Sequence, residues 1–573
     1  MPEILSREEQ AEKEIGVTEI SRSAAAILMG VFLLTVGFVP LAQHIHELRL
    51  PGEDRGLPQC YDMLRMLPSL GEVGSIRSIR DLLNALPSLK EIDEYEDALE
   101  EQSVVANWIL PKVQLRLTGW LGAGNEQALA GRDGWLFYRP GVEYLTQPGF
   151  LEEEVLARRS LSSDAVASPQ PDPLKAIIHF KEQLAERGID LLLMPTPTKA
   201  IVHPEKLVGT LDSDLPQQNV SWETFITQLR DSGAEVFDPT PLLIRKRDEE
   251  KVACFLETDT HWSPGAMDFI ASELAGLIEK NSKLAALDSL DFQRQEMSAA
   301  AHGDIAVMLK LPESQALYSR QEVTIQQVQD VHGKDWAPDP KAEVLLLGDS
   351  FSNIYSLEAM GWGKSAGFAE QLSYHLRRPL DRIVINAGGA YTTRQQLRNE
   401  LLRGQDRLSN KKLVIYQFAM RELSLGDWKL LKLPDVKARK ESPKVRPTTP
   451  ELVVTGSLQS RTSAPVPKSV PYKDCLIAAH LTDIEVSQGE LDEEEIQVFV
   501  WGMRENKWTS AMKWKTDQKL SLQLTPWHKV AKKYGSFNRV ELDDEELILL
   551  DVYWGVETNG GQKGLQRIKA NNE

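Results

Sequence analysis

Residues 343–352 read EVLLLGDSFS. The unbroken apolar run Val344–Leu347 has no polar face, so it predicts a strand covered on both sides, as in a parallel sheet flanked by helices. Gly348 ends the run, Asp349 turns the chain, and Ser350 stands where a helix beginning near Phe351–Tyr355 starts. The same texture extends to either side. IDLLLMP (189–195) follows the helical stretch PLKAIIHFKEQLAERG (173–188), VACFLE (252–257) precedes another helix, and RIVINAG (382–388) and KLVIYQFA (412–419) come later. Apolar runs of this length alternating with amphipathic helices predict an α/β fold built on a doubly wound, mostly parallel sheet.

That sheet cannot account for all 573 residues, which exceed one ordinary core; two or three folded units are expected. The net charge of -19, from 84 acidic against 65 basic residues, repels a phosphate backbone and argues against nucleic acid as a partner. Cys60, Cys254 and Cys475 are far apart and form no CxxC pair, which excludes a thiolate zinc site and a disulfide scaffold. His203, His302 and His332 share no metal-ligand spacing, so no metal and no cofactor is expected.

Near the N-terminus, AAAILMGVFLLTVGFVPLA (24–42) carries no charge and spans roughly 28 Å as a helix, about the thickness of a bilayer's hydrocarbon. Pro40 makes Ala42 a poor cleavage point for a signal peptidase, so an uncleaved anchor is favoured over a signal peptide. The chain then divides into a tail (1–23), a transmembrane anchor (24–42), a helical lead-in (43–130) with helices near 78–84 and 91–110, the α/β domain (131–428), a proline-rich linker (429–472) and a small all-β domain (473–573). The last is read from CLIAAHL, EIQVFVWGM, KLSLQLTPW and ELILLDVYWGV, which are rich in β-branched and aromatic residues. Its Trp501, Trp508, Trp514, Trp527 and Trp554 suit either a carbohydrate-binding face or a packed core.

Two segments carry chemistry. In Thr258-Asp259-Thr260-His261-Trp262, an extended backbone sends Asp259 and His261 to the same face, giving a base with a carboxylate to orient it. Ser263-Pro264 then caps the next helix. In the second segment, Ser350 sits at the carboxyl end of a strand, where open α/β sheets bind ligands. Its hydroxyl needs an adjacent base to act as a nucleophile. Each segment alone also suits an ordinary structural turn, and their coincidence in one domain is the specific signal.

These words, in this order, resemble the SGNH hydrolase-like domain of the alginate O-acetyltransferase family. The resemblance covers roughly residues 131–425 and rests on GRDGWLFY (131–138), MPTPTK (194–199), TDTHW (258–262), Gly303-Asp304 and GDSF (348–351). It implies that Ser350 is the nucleophile, His261 the general base and Asp259 its orienter. It further implies an acetyl-serine intermediate, an extracellular polysaccharide acceptor and a membrane-bound O-acyltransferase that supplies the acetyl group. The place implied is a bacterial inner membrane, single-pass, with a cytoplasmic tail and the catalytic domain on the periplasmic side. Ordinary SGNH enzymes put acid and base near the C-terminus, whereas here Asp259 and His261 lie upstream of the serine, as in the acetyltransferase branch.

Further candidates surround this trio. Asn386, Gly388 and Gly389 end another apolar strand and suit either an oxyanion or substrate site or a plain turn into a helix capped by Thr392 and Gln395. Lys199 and Arg421 follow strand ends and suit either an acidic polymer or structural ion pairs. Tyr391 suits a sugar face or the core. An acetyl esterase would use the same three catalytic residues, and a non-catalytic polysaccharide-assembly scaffold is a third reading.

Overall fold

The computed structural model describes residues 21–49, 103–161, 169–209, 217–281, 290–435, 452–535 except 468, 469 and 471, and 537–558 except 543, with a few isolated positions between. The chain divides into one unit ending at Val113 and a second running from Gln114 to Glu573. The helices expected near 78–84, and near 91–110 as far as residue 102, fall outside the described stretches.

The first unit holds helix α1 (Arg22–Arg49), longer at both ends than the expected anchor. Its apolar side chains are exposed all round, and its most apolar window has a mean hydropathy of 2.3 with none of it buried. By length and composition it is able to cross a membrane. Helix α2 (Val104–Leu121) begins beside it: the Val104 N–H donates to Gln43 Oε1 at 3.0 Å.

The second unit is built on the predicted sheet. Helix α3 (Pro173–Glu186) starts on Asp172, whose carboxylate accepts from the N–H groups of Leu174 and Lys175, with Pro173 in the first turn. Strand β1 (Asp190–Thr196) follows, then α4 (Trp222–Asp231), β2 (Glu235–Val236), α5 (Pro264–Asn281), β3 (Val344–Gly348), the short α6 (Ser350–Asn353), α7 (Phe368–Leu376), β4 (Asp381–Val384), α8 (Thr392–Leu402) and β5 (Leu413–Ala419). The strand order is β2-β1-β5-β3-β4 and every pairing is parallel, with Met194 opposite Gln417 and Leu346 opposite Ile415. Alternation along the strands divides the core in two. Leu192, Met194, Val344, Leu346 and Ile415 pack against α5 and α7, whereas Leu191, Leu193, Leu345, Leu347 and Val414 pack against α3, α4 and α8. Both faces are thus covered, as the apolar runs require.

Three expectations need correction. VACFLE adds no strand to the sheet; Phe255 makes an isolated bridge to Trp262, because the segment closes a tight loop around the Asp-His pair. The capping box expected at Thr392 and Gln395 does not form: Tyr391 is the N-cap and its side chain makes no capping bond, and the Thr392 hydroxyl donates to the Gly388 carbonyl. Within the span expected as a linker, Leu452–Arg461 is a strand. It alternates inward and outward side chains and lies between Pro450 and Pro465, with no proline of its own to break the ladder.

That strand, β6 (Leu452–Arg461), joins β7 (Cys475–Gln488), β8 (Ile496–Arg504), β9 (Lys519–Pro526) and β10 (Val552–Glu557). Their pairings run β6-β7-β8-β10-β9 and return to β6, a closed five-stranded barrel. Val454, Ile477, Val498, Val500 and Leu522 share its core cluster. The five tryptophans are packed into the domain. Trp514 and Trp554 are buried and the others half-buried, with Trp554 stacked on Tyr534 at 4.2 Å and Trp501 edge-on to Trp554 at 5.6 Å.

Candidate active site

Ser350 is the first residue of α6 and only 2% exposed. The turn that presents it is bolted to the neighbouring strand β5. Asp349 Oδ1 accepts from the Phe351 N–H at 2.9 Å and from Gln417 Nε2 at 2.8 Å, while its Oδ2 accepts from the Ala419 N–H at 2.8 Å. Gln417 Oε1 in turn accepts from the Asp349 N–H and from the Ser352 hydroxyl. A Cβ on Gly348 would meet Ser352 Oγ at 2.6 Å and Gln417 Oε1 at 3.1 Å, so glycine is what lets this network close.

The Asp-His pair meets through a turn, not through the extended backbone expected. Asp259 Oδ1 accepts from the His261 N–H at 3.1 Å and from His261 Nδ1 at 2.6 Å. Its Oδ2 accepts from the Asp304 N–H and from Trp362 Nε1, each at 3.0 Å. With Nδ1–H donating to the carboxylate, Nε2 carries the lone pair. That nitrogen is buried and has no hydrogen-bond partner. The imidazole lies edge-on to the ring of Phe351, the neighbour of Ser350, with centroids 4.9 Å apart. The loop is tied to the serine turn by two further bonds, Trp262 Nε1 to the Phe351 carbonyl at 3.0 Å and the Tyr355 hydroxyl to the Trp262 carbonyl at 2.6 Å. His261 and Ser350 therefore sit in one cluster, with no hydrogen bond between them.

Burial opposes charge here, and the hydrogen bonds overcome it. Desolvation pulls the imidazole toward neutrality, but the bond and charge of Asp259, then the charge of Asp304, hold the His261 pKa above its ordinary value. Desolvation likewise acts to raise Asp259, yet His261 and the N–H donors bring its carboxyl below the usual range. Asp304 ends up on the other side: burial first, then the Asp259 charge, push it up to about 6.

No role was expected for Asp304, although Gly303-Asp304 was visible as a pair. Its Oδ1 accepts from the Thr260 N–H at 2.7 Å and the Thr260 hydroxyl at 3.0 Å; its Oδ2 is buried, unpartnered and 3.8 Å from His261 Nδ1. A Cβ on Gly303 would overlap the Thr258 carbonyl, so the backbone of this turn lies directly against the Asp-His loop. Asp259, His261 and Asp304 bring one possible metal-ligand atom each within 4.8 Å of one another. Nδ1 and both oxygens of Asp259 are already committed to hydrogen bonds, which makes the trio a charge network rather than an open ligand set.

The remaining sequence candidates separate. Lys199 is buried, and its ammonium donates to the carbonyls of Leu136 at 2.7 Å and Glu257 at 3.0 Å, bracing the Asp-His loop; burial lowers its pKa to about 7. Arg421 lines a small cleft with Tyr138, Lys199, Thr260 and Phe351, its guanidinium 5.3 Å from the Tyr138 ring. Asn386 accepts at Oδ1 from Asn353 Nδ2 at 3.1 Å, one turn along from Ser350, which leaves its own Nδ2 buried and unpartnered. Gly389 adopts the left-handed conformation, φ 65°, that the turn into α8 needs, and a Cβ on Gly388 would crowd Thr392. Tyr391 is half-buried beneath Lys429, 4.6 Å from ring centre to ammonium.

Comparison with known proteins gives the following. Residues 128–420, just over half of the chain, match the family described as SGNH hydrolase-like domain, acetyltransferase AlgX. The probable alginate O-acetylase AlgJ of Pseudomonas syringae pathovar tomato is 26% identical over 196 residues, which is 33% of this chain and 42% of that protein. The chain thus spans less than half the length of that curated relative. Among solved structures, the O-acetyltransferase domain of Pseudomonas putida AlgJ is 20% identical, covers 52% of this chain and 93% of its own, and has a TM-score of 0.39. Pseudomonas aeruginosa AlgX is 17% identical, covers 69% and 89%, and has a TM-score of 0.38.

Proposed function

This chain belongs to the AlgX family of SGNH hydrolase-like acetyltransferase domains, and from that premise we propose that it is an O-acetyltransferase in which Ser350 carries the acetyl group to hydroxyls of an extracellular polysaccharide. The observation that carries the reading is the buried Asp259–His261 pair, bonded at 2.6 Å, whose Nε2 has no hydrogen-bond partner and whose ring packs edge-on to Phe351, the residue following Ser350.

In the first step Nε2 takes the proton of the Ser350 hydroxyl as its oxygen attacks the acetyl carbonyl, and the resulting imidazolium is held by Asp259. The proton passes to the leaving group and acetyl-serine remains. In the second step Nε2 takes the proton of a polysaccharide hydroxyl, that oxygen attacks the acetyl-serine, and the proton returns to Ser350. Asn386 Nδ2, buried and without a hydrogen-bond partner, is the proposed donor to the oxyanion; Arg421 in the cleft suits a carboxylate of an acidic polymer. Gly388, Gly389 and Tyr391 shape the loop that holds Asn386.

The donor in this scheme is a membrane-bound O-acyltransferase, and α1 keeps the domain beside it on the periplasmic side, raising effective concentration without a new contact. Intact-protein mass spectrometry with a chromogenic acetyl ester tests the chemistry: an adduct of about 42 Da on Ser350, absent in Ser350→Ala, is expected. Adding oligosaccharide then separates two outcomes. Acetylated sugar supports transfer; acetate alone assigns the site to hydrolysis.

A further inference from the structure

We propose that helix α2 (Val104–Leu121) lies along the surface of an anionic membrane with one side sunk among the acyl chains. The proposal rests on the reading of α1 as a membrane anchor. At 100° per residue, Ile109, Leu110, Val113, Leu117, Trp120 and Leu121 fall within an arc of about 120°. All six are exposed, from 39% at Ile109 and Leu117 to 80% at Trp120. Outside the arc, Thr118 and Gln114 turn toward the loop that follows the helix. Thr118 is buried with its hydroxyl donating to the Ala123 carbonyl at 2.8 Å, and Gln114 Nε2 donates to Thr118 Oγ1 and to the Gly124 carbonyl, each at 3.0 Å. A surface helix in water has the reverse polarity.

Three observations commit this face to lipid. First, α2 contains Lys112 and Arg116 and no acidic residue, in a chain of net charge -19; the two cations border the apolar arc, as on helices that bind anionic headgroups. Second, its first N–H is bonded to Gln43, in the last two turns of α1, so α2 begins near one end of the span. Third, Trp108 and Trp120, 66% and 80% exposed, stand near its two ends, the residue type enriched at membrane interfaces. Among the described residues only α1 is long and apolar enough to cross; the two cations inside α2 place it on the bilayer, not through it.

The test uses the full-length protein reconstituted in vesicles of phosphatidylcholine with a minority of phosphatidylglycerol and a trace of phospholipid bearing a diazirine on its acyl chain. After irradiation, peptide mapping is expected to find lipid adducts in 109–121 as well as in α1. Val113→Glu with Leu117→Glu is expected to cut the α2 adducts about tenfold and leave those on α1 unchanged, and omitting phosphatidylglycerol is expected to lower only the α2 signal. Labelled α1 with unlabelled α2 overturns this proposal alone, as does a protein cross-linker that joins the arc to residues 50–102. Unlabelled α1 with labelled α2 overturns the anchor reading alone; absence of both overturns both.

Discussion

Asp304 acts by charge on a histidine it does not hydrogen-bond. Its charge is one of those that hold the His261 pKa above the ordinary value of about 6.5, and a general base works only when neutral. On the proposed mechanism, acetyl transfer is expected to fall as pH drops through that raised value. Asp304→Asn removes a raising charge, so the acid limb of the rate profile is expected to move to lower pH; initial rates across pH 5 to 9 check this (roughly the window in which imidazole titrates), and an unmoved limb refutes it. Asp259→Asn is a harsher change, since it loses the bond that fixes the imidazole. Turnover is expected to drop on the order of ten-thousandfold, with the far-ultraviolet circular dichroism unchanged. That Asp259 bonds His261 and that Ser350 opens a helix after the strand was legible, because each feature lies in a short window of sequence. Asp304 was not, because its role comes from a contact between turns more than forty residues apart in the chain. Lys199 was legible only as a cation near a strand end; that its ammonium faces two carbonyls depends on how the 128–138 hairpin folds over it.

Loops here are set by glycine at points of backbone contact. Gly303 lies against Thr258 and Asp259, so a methyl group in Gly303→Ala must displace the backbone of the Asp-His loop. Activity is expected to fall about a hundredfold, as small displacements of catalytic groups do, with a modest loss of thermal midpoint; activity at wild-type level would show that the loop adapts. The parallel sheet was legible from apolar runs, and helix α3 from the amphipathic stretch that precedes IDLLLMP. VACFLE misled because a buried apolar run has the same composition whether it pairs in a sheet or closes a loop. The strand Leu452–Arg461 was hidden by the prolines that bracket it.

The two folded parts of the second unit share a buried polar seam. Glu541, beside the barrel, accepts from Asn399 Nδ2 at 2.8 Å and Arg539 Nε at 2.8 Å and lies 3.5 Å from Arg403. Burial acts to raise its pKa, but the two guanidinium groups and these bonds lower it from 4.5 to about 2. A carboxyl depressed on folding stabilises above its unfolded value, by about 3 kcal/mol here, and the gain is lost as pH falls from about 4.5 toward 2. Glu541→Gln is expected to lower the unfolding free energy at neutral pH by about that amount, with the deficit shrinking below pH 4.5; urea titrations at several pH values measure it, and a deficit independent of pH refutes the assignment. The existence of a terminal β domain was legible in the sequence. Its closure was not, because the parallel pairing of β8 with β10 joins strands almost fifty residues apart that no local pattern connects.

The Asn386 N–H donates to Asn538 Oδ1 at 3.1 Å, so a strand of the terminal domain braces the loop that holds a candidate oxyanion donor. Cutting the gene at the proline-rich stretch, the obvious choice for a compact expression product, removes that brace along with Glu541. Such a product leaves Arg403 without its buried counter-ion and the loop without its outer support, so a low turnover in it is expected from the truncation itself.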